Sequence, residues 1–307
     1  MSKKGDQNTP TKSILKRPVF IAVAAVIVAA LAFALVAIQI MVNRKAETKL
    51  REFVTGAELP YDVSWSKVSY KLLTRRLYIS NASIGAAKAD RITVSGIKKG
   101  SPLPEFAVIG IRNLNIPVID DFFGRYYIPL NDMGYHSITG SVNFTSELGP
   151  DKQLNLVVNN MSLNDFGVVN TKMTIDQADA QLLSDLLRNL KDKTVLSAWV
   201  SFENSGFMER MIALFAAETN TPANKAKAKV MEGLNRRIHT RFKTDSVQRS
   251  SLTQLYRFIE NPKKITSQIS GGQKELLVKD IFQPAHITGW RGLATWFTEL
   301  PQEITAN

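Results

Sequence analysis

The sequence predicts an α+β fold: one N-terminal transmembrane helix, then a mostly antiparallel β-sheet domain with a helix-rich segment. Three observations lead there. One apolar run is long enough to cross a bilayer, a series of segments then alternates apolar and polar residues, and after residue 176 the apolar spacing changes to three and four.

The apolar run extends from Pro18 to Val42, and Gln39 is its one polar residue. At 1.5 Å per residue such a helix exceeds a hydrocarbon core of about 30 Å. Apolar residues occupy every angular position, which suits lipid on all sides better than a protein core. Pro18 fits a first helical turn, and Lys16, Arg17, Arg44 and Lys45 bracket the run at headgroup level. A cleaved signal peptide fits less well, because its small-residue site, Ala32 to Ala34, would lie inside the run. Residues 1–17 carry five Lys and Arg against four in residues 43–52, a slight bias toward a cytoplasmic basic tail and an exported domain. Residues 43–60 then form a stalk.

Residues 61–176 read as a β-rich domain. YDVSWSKVSY, RITVSGI, FAVIGIRNLNI, HSITGSVNF, LNLVVNNMSL and VVNTKMTI are its strands, with apolar alternation at Val63 and Trp65, Ile109 and Ile111, Ile138, Val142 and Phe144, Leu154, Leu156 and Val158, and Met173 and Ile175. Turn-like clusters GAAKAD, KKGSPLP and ELGPDK separate them, as in a meander.

Residues 177–262 form the helix-rich segment. QADAQLLSDLLRNLKD carries a leucine stripe, TVLSAWVSF is a further strand, and SGFMERMIALFAAE places Phe207, Met211, Ile212 and Phe215 on one face. A long helix starts at Thr221 and Pro222 with Ala226, Val230, Leu234 and Ile238 at steps of four. SSLTQLYRFIENP forms a fourth helix that stops at Asn261, before Pro262. Residues 263–307 complete the chain with strands and an amphipathic helix.

LYISNASI (77–84), IGIRNLNI (109–116) and LVVNNMSL (156–163) share one pattern that puts Asn81, Asn113 and Asn160 in equivalent places. Asparagine tolerates left-handed and bulge geometry, so the recurrence predicts a repeated bend in the sheet, against the alternative of chance likeness between short strands. These segments behind an N-terminal anchor resemble the N-terminal portions of the AsmA-like proteins of Gram-negative envelopes. The resemblance covers the anchor and residues 56–176. It implies a bacterial inner-membrane protein with its C-terminal domain in the periplasm, a twisted sheet forming an apolar groove, and a link to phospholipid transport and envelope homeostasis. Those proteins are usually longer, and the helices after residue 177 depart from a continuous groove.

Composition and motifs argue against catalysis. The chain has no cysteine, which excludes disulfides, thiol chemistry and Cys-ligated metal. His136, His239 and His286 lie far apart in sequence without metal-ligand spacing. NDFG (164–167) matches the kinase triplet in letters only and reads as a turn between strands. Asp120 and Asp121 are adjacent, so on an extended chain they point opposite ways. Asn81, Asn143 and Asn160 each start a glycosylation acceptor triplet, relevant only in a eukaryotic secretory context. No enzyme activity, cofactor or metal is expected.

Charge is the remaining signal. Residues 222–264 carry eleven basic and three acidic side chains. Lys225, Lys227, Lys229, Arg236, Arg237, Arg241 and Lys243 are the candidate site for anionic lipid headgroups, with a solvated helix face as the plain alternative. Nucleic acid is the weaker partner, since no recognition motif accompanies the charge. The expected role is non-enzymatic: handling or sensing an amphiphile, or supporting envelope homeostasis. The alternative is an anchored scaffold that binds another envelope protein without lipid, and an anchored hydrolase ranks third. The apolar run generates a first prediction: the protein remains with membranes through an alkaline carbonate wash. Recovery of the intact chain in the supernatant refutes the anchor.

Overall fold

A computed structural model describes residues 41–52, 54–55, 62–98, 106–120, 127–176, 193–240, 246–270 and 302–306. The described part of helix α1 covers 41–52 and includes the last two residues of the predicted anchor; the rest of that run lies outside the described residues. Among the described residues no helix is long and apolar enough to cross a membrane.

Among the described residues eleven strands make one antiparallel sheet: β1 (Val63–Ser64), β2 (Lys67–Lys71), β3 (Arg76–Ile84), β4 (Ala87–Lys98), β5 (Phe106–Pro117), β6 (Ser137–Leu148), β7 (Leu154–Leu163), β8 (Gly167–Ile175), β9 (Val195–Asn204), β10 (Lys264–Ser270) and β11 (Gln302–Ala306). From β3 to β11 each strand lies beside its sequence neighbour, and β1 and β2 both pair with β3 at one edge. The predicted meander is therefore present. Two segments differ from expectation. YDVSWSKVSY breaks into β1 and β2 around Trp65 and Ser66, and the turn expected over GAAKAD shrinks to Gly85 and Ala86. Small side chains explain the second difference, because Ala82 and Ala89 face one another across the ladder, both buried.

The registers align one apolar row across the sheet: Tyr70, Leu77, Val94, Ile109, Phe144, Val158, Thr171, Val200, Ser267 and Ile304. Residues one position along belong to the other face, where Thr145, Val157, Lys172, Trp199, Gln268 and Glu303 form a mostly polar row. At about 4.8 Å per strand the apolar row is roughly 40 Å long.

Holding that face together requires a change of phase within single strands. In β3 the apolar positions run Leu77, Ile79, then Ala82, Ile84; in β5 Ile109, Ile111, then Leu114, Ile116; in β7 Leu156, Val158, then Met161, Leu163. Strict alternation would turn each second pair to the opposite face. Between the pairs stand Asn81, Asn113 and Asn160, all left-handed with φ of 49°, 50° and 54°. The ladder shifts register beside Asn113, between Ile111 and Leu114, and beside Asn160, between Val158 and Met161. Opposite Asn81 the edge is interrupted between β1 and β2, and β4 steps in concert from Ala89 to Ile92, so the β3–β4 register holds. The recurring asparagine thus marks a repeated bulge-like bend. Side chains brace it: Asn113 Nδ2 donates to Asp90 Oδ2 at 2.7 Å, Asn81 Nδ2 to Ser66 Oγ at 3.1 Å, and the Asn160 amide to Asn170 Oδ1 at 2.7 Å. Next to the third bend, a β-carbon on Gly140 would run into the carbonyl oxygen of Ser162.

Helix α2 (Tyr127–Asp132) lies between β5 and β6, and α3 (Phe207–Glu218), α4 (Ala223–Thr240) and α5 (Val247–Glu260) fill the connection from β9 to β10. The predicted stripe Ala226, Val230, Leu234 and Ile238 is the buried face of α4. In α3 the buried line is Met208, Ile212 and Ala216, with Phe207, Met211 and Phe215 on its flank, one position round from the predicted stripe. Ser246 Oγ caps α5 by accepting the Arg249 amide at 3.2 Å, and Asn261 ends it. These helices share a core with Ile265 and Ile304, so they pack on the apolar face at the β9–β11 end. A smaller cluster of Val118, Tyr135 and Ile138 joins that core through Phe207. The leucine-rich segment from 177 and the amphipathic helix expected before β11 fall outside the described residues.

The left-handed backbone generates a second prediction. Asn160→Val forces a β-branched residue into that geometry and lowers stability by about 1–3 kcal/mol, whereas Asn160→Gly keeps it and changes stability by less than about 1 kcal/mol. Denaturant midpoints of the two variants check the order; equal losses would remove the conformational role.

Candidate functional site

The seven basic residues do not form one constellation. Lys225, Lys229 and Arg236 follow steps of four and seven, which puts them on one exposed stripe of α4 opposite its buried line. Glu232 belongs to the same stripe and pairs with Arg236 at 2.9 Å. Lys227 turns away, donating from Nζ to the carbonyl oxygen of Glu260 at 2.9 Å, where it caps the last turn of α5. Arg237 is half-buried on the flank. Arg241 and Lys243 lie outside the described residues. The exposed stripe extends over about 16 Å on a convex helix surface, so it suits a broad anionic surface better than a single phosphate.

The second element is the apolar face. Among the described residues, helices pack on it at the β9–β11 end, and the row from Leu77 through Val94, Ile109, Phe144 and Val158 continues beyond them. These side chains are half-buried, whereas Ile79 and Ala107 on the same face, and Met173, Ile175 and Ala198 on β8 and β9, are buried. An acyl chain is complementary to such a row: it offers methylene groups, needs no hydrogen bonds, and gains roughly 0.8 kcal/mol for each CH₂ removed from water.

The third element joins residues distant in sequence. NDFG is the turn between β7 and β8, as expected, with Asp165 left-handed at φ 55°. Phe166 from this turn packs on Phe207 at 4.4 Å, Tyr135 at 5.8 Å and Phe202 at 6.0 Å, and Phe202 continues to Phe258 of α5 at 6.1 Å. Beside it the Tyr135 hydroxyl donates to the Asp165 carbonyl oxygen at 2.7 Å. The Arg210 guanidinium stacks over the Tyr135 ring at 4.6 Å and donates to the Met133 carbonyl oxygen at 3.1 Å. Burial pushes the Tyr135 phenol above its ordinary range; the Arg210 charge pulls it back, while Asp165 and Glu209 add to the rise. Sequence reading missed this junction because nothing local links positions 135, 165 and 210. Of the histidines, His136 Nδ1 lies 3.1 Å from Asn131 Oδ1 and His239 Nδ1 lies 3.3 Å from Arg249 Nη2, both at the surface.

Residues 160–306 match the model of a family described only as an uncharacterized protein. That stretch begins at the third left-handed asparagine and takes in β8 to β11 with the helices packed on them. No curated protein matches the chain.

The junction generates a third prediction. Because the folded state holds the Tyr135 proton more tightly than the unfolded chain, its contribution to stability is intact below the ordinary phenol range and declines as pH rises through about 10 and beyond. Tyr135→Phe should remove that part of the alkaline loss while costing about 1 kcal/mol at neutral pH for the lost hydrogen bond. Identical alkaline unfolding curves for the two proteins would contradict the assignment.

Proposed function

We propose that the chain is a single-pass protein of the bacterial inner membrane whose periplasmic domain holds the acyl part of an amphiphile against its sheet, without catalysis. The observation that carries the proposal is the apolar row that, among the described residues, extends beyond the helix layer onto β3 to β7. A contiguous apolar surface of more than a few hundred Å² is seldom left to water. The apolar run at 18–42 supplies the membrane from which such a ligand comes, and the resemblance to AsmA-like proteins agrees in chemistry. The exposed stripe of Lys225, Lys229 and Arg236 adds a surface for anionic headgroups. The scaffold reading draws on the burial of Met173, Ile175 and Ala198, which closes part of the same face without lipid.

Purified full-length protein, incubated with a phospholipid carrying a photoactivatable acyl chain, separates the two readings. The fourth prediction is that crosslinked peptides include β4 to β7, and that Phe144→Glu depletes those peptides while leaving crosslinks in 18–42 unchanged. Crosslinks confined to 18–42 would instead make the domain a scaffold.

A further inference from the structure

We infer that the tip of the β2–β3 hairpin is a second membrane contact, inserting Leu72 and Leu73 into the bilayer face at which the N-terminal apolar run ends. This rests on the reading of residues 18–42 as a membrane anchor. Two contacts fix the direction of α1 against the sheet edge. The Tyr70 amide donates to Asn43 Oδ1 at 2.7 Å, and the Arg51 guanidinium lies 4.9 Å from the centre of the Trp65 ring. Residue number rises along the helix from 43 to 51 while it falls along the strand from 70 to 65, so the two segments are antiparallel. Moving back from Asn43 toward Val42 is therefore moving forward from Tyr70 toward the hairpin tip. The apolar run ends one residue before Asn43, and Leu73 lies up to about 10 Å past Tyr70 in that same direction.

The tip has the composition of an interfacial segment. Its turn is closed by the Arg75 amide donating to the Leu72 carbonyl oxygen at 3.3 Å, with Arg75 left-handed at φ 48°. Leu73 is fully exposed, Leu72 is 42% exposed and Met41, at the start of the described part of α1, is 64% exposed. Single exposed leucines are ordinary, but these three are half of the six large apolar side chains exposed among the described residues, and all lie at one end of one edge. Lys71, Arg75 and Arg76 flank the leucines, and Arg44 and Lys45 stand beside them on α1, all exposed. Apolar side chains at a tip ringed by cations match a bilayer with anionic headgroups: the leucines reach the acyl boundary and the basic side chains stay among phosphates. With the anchor, this contact gives the domain two attachments and so fixes the sheet's orientation on the membrane.

The chain lacks cysteine, so single introduced cysteines report cleanly. An environment-sensitive fluorophore is placed at Leu73→Cys, Val36→Cys or Lys172→Cys in full-length protein reconstituted in vesicles of phosphatidylcholine and phosphatidylglycerol, with and without quencher-bearing acyl chains. The fifth prediction is a blue-shifted label at Leu73→Cys, quenched nearly as strongly as at Val36→Cys, while Lys172→Cys on the polar sheet face is not quenched. A water-like label at Leu73→Cys beside a quenched one at Val36→Cys overturns the hairpin contact and leaves the anchor standing. Water-like labels at both overturn the anchor and the hairpin contact with it. Equal quenching at Lys172→Cys also overturns it, because lipid would then meet the domain without regard to the tip.

Discussion

The left-handed asparagine in β3, β5 and β7 is the constraint on which the rest depends. A strand has period two, so an apolar pattern that changes parity must either expose half of its side chains on the wrong face or change the backbone. The left-handed conformation costs an ordinary residue about 1–2 kcal/mol and asparagine less. Each bend returns two apolar side chains to the common face, and burial of one is worth about 1.5–3 kcal/mol when complete. Even at half burial the exchange favours the bend. The result is visible in the core, where Ile138 and Leu163, beyond the bends, belong to a cluster that meets Ile265 and Ile304 through Phe207.

The same bends explain why the sheet tolerates such a span. Ten strands side by side accumulate twist, and bulges increase it locally while keeping one face inward. Stabilisation is uneven along the span. At the β9–β11 end, α5 lies on β10 and β11, and the tilted and edge-on aromatic contacts from Tyr135 to Phe258 tie the β7–β8 turn to the helices. At the β1–β2 edge, side-chain bonds from Asn81 and Asn43 do the bracing.

What was legible in the sequence follows from what is local. Period two located the strands, steps of four located the buried line of α4, and Asn261 before Pro262 marked the end of α5, because each signal is written within a few residues. The repeated asparagine was legible for the same reason: a parity change around one residue type is visible without neighbours. The roles of single charges were not. Lys227 and Lys229 are two residues apart and look alike in sequence, yet one caps a helix 33 residues away and the other faces solvent. Tyr135, Asp165 and Arg210 come together only once the sheet has brought its hairpins to one end. Nothing in the sequence singles out Leu72 and Leu73, and only the antiparallel placement of α1 gives their exposure a direction.

The family match begins at Asn160, inside β7 of the continuous sheet. Among the described residues the matched part holds β8 to β11 and three helices with a shared core of Val230, Leu234, Leu252, Leu255 and Phe258, two layers in the usual sense of a folded unit. The strands before it repeat the asparagine bend and extend the apolar face without, among the described residues, a helix layer of comparable size. A sheet built from repeated hairpins gains a strand at little topological cost, because each new strand pairs with the last and inherits its facing. The helices then act as a stop, covering the face where extension ends. Strand number ahead of that stop sets the length of apolar surface, at about 4.8 Å per strand, and so couples a simple repeat in the sequence to the extent of one face of the sheet.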